Sequence, residues 1–245
     1  VHREIFYAAP ENVKKEYLYL FGEEVHHLRR VLRKKEGDIV WAVDGIGASY
    51  EVELINITDQ KAECRILKTT KMAGEPEAEV TLALGMLKGE RFDIAVEKAT
   101  EIGVRRIVPF ISENSTAHAT HAKISRWRRK SLSAMKQSTR SILPEITETK
   151  KFSDLFKMEC ESEYRFIAHQ SDVSRILDIR NSPSSNTAKS VFVIVGPEGG
   201  FSEGEVAEAV NHGYIPIALG KRRLRSETAA IVITTLILFQ LGEIK

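Results

Sequence analysis

From residue 80 to its end the chain alternates short apolar runs with segments of helical period, and this restricts the fold more than anything else in it. Residues 80–87 and 107–111 read as strands. Between them Phe92, Val96, Ala99 and Ile102 recur near the helical period over 91–102, and Gly103 supplies the stop. Pro109 predicts an edge position or a strand end. Ile124, Trp127, Leu132 and Met135 share one face of a helix over about 123–140. Residues 165–168 and 191–195 are strands, the second apolar on both faces, as a central parallel strand is. Ser202 and Glu205 form a capping box for a helix that ends near 211, before Gly213. Residues 214–219 are a strand, and Ser226 is placed to cap a last helix over 227–241. Such alternation predicts a parallel α/β sheet.

Residues 1–72 read differently. Residues 39–43, 49–57 and 62–67 are short strands, the first followed by the hairpin pair Asp44-Gly45. A small β-barrel is the natural way to bury them. Residues 23–32 break the pattern as a short helix, with a basic cluster of Arg29, Arg30, Arg33, Lys34 and Lys35. Gly74-Glu75-Pro76-Glu77 reads as a solvated linker. The expected organisation is therefore a barrel over 1–72 and an α/β domain over 75–245.

Composition excludes several classes. The 36 basic and 34 acidic residues nearly cancel, and 42% of the chain is hydrophobic, so disorder is excluded. Cys64 and Cys160 make neither a disulfide framework nor a metal-ligand spacing, and fit a reducing compartment. The apolar run over 229–241 is too short to span a bilayer, and Val1-His2-Arg3-Glu4 lacks a signal-peptide pattern; the expectation is a cytoplasmic protein without membrane or metal. No G-x-G-x-x-G, P-loop or G-x-S-x-G motif occurs, which speaks against a dinucleotide oxidoreductase, a P-loop NTPase and an α/β-hydrolase.

Two loops are the candidate site. Gly196-Pro197-Glu198-Gly199-Gly200 follows the strand over 191–195, and Gly220-Lys221-Arg222-Arg223-Leu224-Arg225-Ser226 follows that over 214–219. Ligands of open α/β sheets bind at the carboxyl ends of strands. One glycine loop alone is more often a tight turn; two together, one strongly basic, point to a site. Between Thr116 and Pro144 there are seven Lys and Arg and no Asp or Glu. With clusters at 29–35 and 221–225, this favours RNA or another polyanion. Trp41 reads as core rather than a base-stacking platform. His26-His27 and the pair His118 and His121 read as surface residues, and Glu97 and Glu101 as ion-pairing residues.

These motifs resemble a known family. Val195-Gly196-Pro197-Glu198-Gly199-Gly200-Phe201-Ser202-x-x-Glu205, then Leu219-Gly220 and Leu224-Arg225-Ser226-Glu227-Thr228-Ala229, are similar to the RsmE family, the small-subunit ribosomal RNA uridine-N3 methyltransferases of the SPOUT class. His2-Arg3, His27-x-x-Arg30-Val31-Leu32-Arg33, Lys88-x-x-Arg91, Lys98 to Val104, Arg126-Trp127 and Gln137-Ser138-x-Arg140 extend the resemblance over essentially the whole chain. The sequence departs from the family at Asn114, where Arg is usual, and over 133–137, which lacks the usual acidic residues.

The resemblance implies an N-terminal PUA-like β-barrel and a C-terminal SPOUT α/β domain threaded as a trefoil knot, which no periodicity predicts. It further implies a homodimer, S-adenosylmethionine as cofactor, and 16S rRNA of the small ribosomal subunit as partner. Gly196, Pro197, Gly199, Gly200, Leu219, Gly220, Leu224, Ser226, Thr228 and Ala229 would hold the donor. Arg225 would stabilise anionic uracil, and Glu198 or Glu227 would orient a donor amine or accept the proton; the residues do not separate these roles. Glu227 is equally well read as a helix N-terminal carboxylate. Arg3, Arg30, Arg33, Arg126 and Arg140 would bind RNA phosphates. Neither cysteine is placed as a nucleophile. The competing expectations are a SPOUT enzyme acting on another RNA or a ribose 2′-hydroxyl, and a non-catalytic RNA-binding assembly protein.

Overall fold

The computed structural model describes residues 4–117, 120–158, 162–169, 175–176 and 190–244. Arg3, His118, Cys160 and residues 181–189 of the expected surface loop lie outside them. The chain falls into two compact units, Val1–Glu75 with Leu132–Leu143, and Pro76–Ser131 with Pro144–Lys245. Residues 132–143 thus group with the first unit, a non-contiguous membership that hydrophobic periodicity does not reveal.

The first unit holds β1 (Ile5–Tyr7), β2 (Tyr17–Phe21), β3 (Ile39–Val43), β4 (Ala48–Ile57) and β5 (Lys61–Lys71) in one curled sheet of order β1-β3-β4-β5-β2. Only β1 and β3 run parallel. Two register shifts between β4 and β5 mark bulges, which strengthen twist and let a short sheet curl. Alternate residues Val40, Ala42, Val52, Leu54, Ala62 and Cys64 point into its core. Trp41, expected there, is only partly buried, because it faces the opposite side of β3 from Val40 and Ala42. The expected helix over 23–32 is a single α turn, α1 (Glu23–His26), continued as a π turn over His27–Val31. Asp44 organises the hairpin: its carboxylate accepts the N–H of Ile46 and Ala48 and the hydroxyl of Tyr50.

Glu75 is the clearest departure from expectation. It does not project into solvent as a linker residue. It accepts the N–H groups of Ser141 and Ile142 and pairs with Arg140.

The second unit is a parallel sheet of β6 (Glu79–Gly85), β7 (Arg106–Ile111), β8 (Glu145–Ile146), β9 (Lys150–Lys151), β10 (Tyr164–Ala168), β11 (Arg175–Ile176), β12 (Ser190–Val195) and β13 (Ile215–Ala218). Its order is β11-β13-β10-β12-β6-β7-β8, and β9 also pairs with β7. The helices are α2 (Arg91–Ile102), α3 (His121–Gln137), α4 (Glu203–Asn211) and α5 (Ser226–Gln240). β12 lies between β10 and β6, and its residues alternate between two cores: Val191, Val193 and Val195 in one, Phe192 and Ile194 in the other. That is the double burial its sequence predicts. Pro109 sits where the outer pairing of β7 is interrupted, since β8 pairs at Arg106 and Ile107, and β9 at Phe110 and Ile111. A residue without an N–H fits that gap. The capping box of α4 is present as read from Ser202 and Glu205. At α5 the cap is Arg225, and Ser226 is the first helical residue, so the expected Ser226 cap is one position off.

Candidate active site

The loops after β12 and β13 meet at the carboxyl ends of their strands and enclose a cavity of about 660 Å³. This is the place where ligands bind in open parallel sheets, and the volume suits a drug-sized molecule. Gly196, Pro197, Glu198, Gly199, Gly200, Leu219, Gly220, Leu224, Arg225, Ser226 and Ala229 all line it. Glu227 and Thr228 do not; they lie one step along α5 from the lining residues Ser226 and Ala229.

Local sequence explains the approach of the first loop. A Cβ on Gly85, at the end of β6, would lie 2.5 Å from the backbone nitrogen of Pro197. Only glycine there lets the loop cross the strand end so closely. From another side the loop is held by Asn114, whose amide donates to the carbonyls of Gly199 and Gly200 at 3.4 Å each. Glu205 adds a tie by accepting the N–H of Glu113 at 2.9 Å.

The two candidate carboxylates differ in their surroundings. Glu198 Oε1 accepts the N–H of Lys88 and a guanidinium N–H of Arg91, each at 3.0 Å. Burial pushes the Glu198 carboxyl up, but these hydrogen bonds and the Arg91 charge outweigh it and hold it below the usual carboxylate range. Glu227 is more deeply buried, its side chain 11% exposed. Its Oε1 lies 3.9 Å from Arg91 Nε, and its Oε2 is buried with no hydrogen-bond donor among the described residues. A buried acceptor left unmet costs roughly 1–3 kcal/mol, so such an atom marks a place where a ligand donor would be welcome.

His169 lines the cavity without having been singled out from sequence, and Arg91, Phe201, Arg222 and Arg223, named there within motifs, were not assigned to the donor site. Arg91 stands at the first position of α2, 107 residues from Glu198, and no local pattern announces that pairing.

The expected phosphate-binding residues are not equivalent. Arg30 and Arg33 are exposed on the first unit. Arg126 donates to Asp93 Oδ1 at 2.7 Å, the same oxygen that accepts the indole N–H of Trp127 at 2.9 Å. This gives Arg126 a structural partner, while its side chain stays half exposed. Arg140 must be corrected. Its side chain and that of Glu75 are each 2% exposed and 2.7 Å apart, so its charge is turned inward and not offered to a phosphate. Cys64 lies in the core of the first unit, where burial first and Glu63 second push its thiol up to about 12, which fits the expectation that it is no nucleophile. Glu97 and Glu101 pair with Lys98, as their spacing predicts.

Comparison with known proteins gives a consistent result. The family described as RNA methyltransferase domain matches residues 74–238, and that described as RNA methyltransferase PUA domain matches residues 20–67. The chain is 32% identical to the ribosomal RNA small subunit methyltransferase E of Mesomycoplasma hyopneumoniae, over 91% of this chain and 95% of that protein. It is 31% identical to that of Aquifex aeolicus, over 96% and 98%. The crystal structure of the Neisseria gonorrhoeae ribosomal RNA small subunit methyltransferase E bound to S-adenosyl methionine superposes with a TM-score of 0.85 at 28% identity, covering 97% of this chain and 98% of that one. A Legionella pneumophila methyltransferase in complex with the same cofactor also gives 0.85, at 27% identity and 98% of each chain.

Proposed function

The chain belongs to the ribosomal RNA small subunit methyltransferase E family, and on that premise we propose that it transfers a methyl group from S-adenosylmethionine to N3 of a uridine in 16S rRNA. The observation that carries this is the cavity at the strand ends, bounded by both glycine-bearing loops. Its features fit the donor. Glycine backbone and the apolar Leu219, Leu224 and Ala229 suit an adenosine. Bound there, S-adenosylmethionine supplies an electrophilic methyl group.

The rest of the chemistry falls to the chain. N3 of uracil carries a proton that must leave before or during attack, and the charge it leaves spreads to the ring oxygens. Arg225, exposed at the cavity and without an ion-pair partner among the described residues, is placed to stabilise that charge. Of the two carboxylates, Glu227 is the one with a buried oxygen left unmet among the described residues, Oε2, to take the proton. Glu198 already accepts two hydrogen bonds and is held low, which makes it a weak base. The loops fix the line of approach between nucleophile and methyl carbon. Arg30 and Arg33 of the first unit, with Arg3 by resemblance, would take RNA phosphates.

Homodimerisation belongs to the same reading. α5 has no charged residue after Glu227, yet Leu236 and Phe239 are 37% and 46% exposed. A helix apolar all round is normally covered, and a second copy of the chain would cover this one. No helix among the described residues is long and apolar enough to cross a membrane, and ribosomal RNA as substrate places the work in the cytoplasm.

The test is a methyl-transfer assay with labelled S-adenosylmethionine and small subunits lacking the modification, followed by digestion and mass spectrometry. The expected product is 3-methyluridine, abolished in Arg225→Ala while donor binding survives. Donor binding without 3-methyluridine would overturn the substrate, and a 2′-O-methyl product would move the enzyme to another SPOUT activity.

A further inference from the structure

Arg91 lines the cavity and meets two carboxylates. Its Nη1 donates to Glu198 Oε1 at 3.0 Å, and its Nε lies 3.9 Å from Glu227 Oε1. Glu198 belongs to the loop after β12, Glu227 to the first turn of α5, and Arg91 to the first turn of α2. The same Glu198 oxygen accepts the N–H of Lys88, in the loop after β6. Arg91 therefore links the loop after β12 to the start of α5, beside the lining residue Ser226, and Glu198 adds a tie to the loop after β6. The planar fork of arginine suits this geometry. A lysine would have to meet both carboxylates through one nitrogen, whereas arginine offers Nη1 to Glu198 and Nε to Glu227 from separate atoms of a rigid plane.

We infer that Arg91 is a positioning residue of the donor site, holding Glu198 and Glu227, and through them both loops, in the arrangement that binds S-adenosylmethionine. The inference rests on reading the cavity as that site. Without Arg91, two part-buried carboxylates lose their shared cation and repel each other across the loop and the helix start. The walls then shift, and any ligand using both walls binds more weakly, whether or not it carries a carboxylate of its own. That last point separates positioning from direct contact, because an arginine gripping the donor's carboxylate would matter only to ligands that have one.

The experiment is calorimetric titration of wild type, Arg91→Ala, Arg91→Lys and Glu198→Gln with S-adenosylmethionine and with methylthioadenosine, which lacks the amino-acid part. Arg91→Ala is expected to weaken both ligands by about tenfold, the equivalent of ~1.4 kcal/mol, with Arg91→Lys restoring little and Glu198→Gln weakening both in the same sense. Loss for S-adenosylmethionine alone would make Arg91 a ligand contact and overturn the inference, as would unchanged affinity for both. Where Arg91→Ala does not fold, Glu198→Gln decides by the same comparison. Wild-type protein that binds neither ligand overturns the donor-site reading and this inference with it. Wild-type binding with unaltered variants overturns the inference alone.

Discussion

Arg140 and Glu75 meet 2.7 Å apart, with each side chain 98% removed from solvent, inside the unit built from the N-terminal sheet and residues 132–143. Glu75 also accepts the N–H groups of Ser141 and Ile142, so the carboxylate fastens the segment that follows α3. Removing one partner of such a pair strands a buried charge. Arg140→Ala is expected to cost about 3–5 kcal/mol in urea unfolding, without any direct loss of phosphate contact. A variant of unchanged stability and reduced RNA affinity would return Arg140 to the RNA surface.

That pair also shows what sequence conveys and what it does not. Elements with a strong internal period are readable: α2 over Arg91–Ile102, the two-faced β12, and the Ser202 and Glu205 cap of α4 all occur where their residues place them. The two glycine loops are readable as a site because each follows a strand. Pairings between distant segments are not. Arg140 comes from a run without a single acidic residue, so every cation in that run looks available; its counter-charge stands 65 residues earlier in what reads as a solvated linker. The pairing of Arg91 with Glu198 escapes notice for the same reason, and so does the grouping of 132–143 with the first unit.

Gly199 and Gly204 offer a contrast five residues apart. A Cβ on Gly199 would stand 2.9 Å from the Cβ of Asn114 and 3.1 Å from its carbonyl oxygen, so the loop or its support must shift. Gly199→Ala is expected to weaken S-adenosylmethionine binding by about tenfold in calorimetry. Gly204 lies in α4, where a Cβ meets nothing nearer than 3.8 Å. Gly204→Ala is expected to raise stability by about 0.5–1 kcal/mol and leave donor affinity unchanged. Equal effects of the two substitutions would remove Asn114 as a support of the loop.

Cys64 is fully buried and its thiol is pushed up to about 12, chiefly by desolvation. The folded thiol therefore stays protonated where the unfolded one, with its ordinary value of 9.0, ionises. The stability linked to it is complete below pH 9 and is lost as pH rises towards 12. Native protein at pH 8 is expected to resist iodoacetamide at Cys64 and to react once unfolded, read by peptide mass spectrometry. Rapid labelling of the native chain would contradict the burial of this strand.

Glu227 and Glu198 should separate kinetically. Glu227→Gln keeps the shape but removes the base, so kcat is expected to fall by about 10²–10⁴, far more than any loss of donor affinity from its weakened contact with Arg91. Glu198→Gln loosens the loop instead and should raise the KM for S-adenosylmethionine. A Glu227→Gln enzyme of near-normal kcat would leave that residue a helix N-terminal carboxylate and no more.

Arg222 and Arg223 line the same cavity beside Arg225 with exposed side chains, and Arg223 donates to the Glu198 carbonyl at 3.4 Å. The donor itself carries a net positive charge, so a cationic rim does little for it. The other substrate is a polyanion. Each phosphate contact made by the rim releases condensed counterions, and its loss should lower the slope of log affinity against log salt by about 0.7–0.9. Arg222→Ala with Arg223→Ala is expected to weaken RNA binding at low salt, flatten that slope by about 1.4–1.8 if both make contacts, and leave S-adenosylmethionine affinity unchanged. An unchanged slope with weakened donor binding would assign the two arginines to the cavity wall and take them off the RNA path.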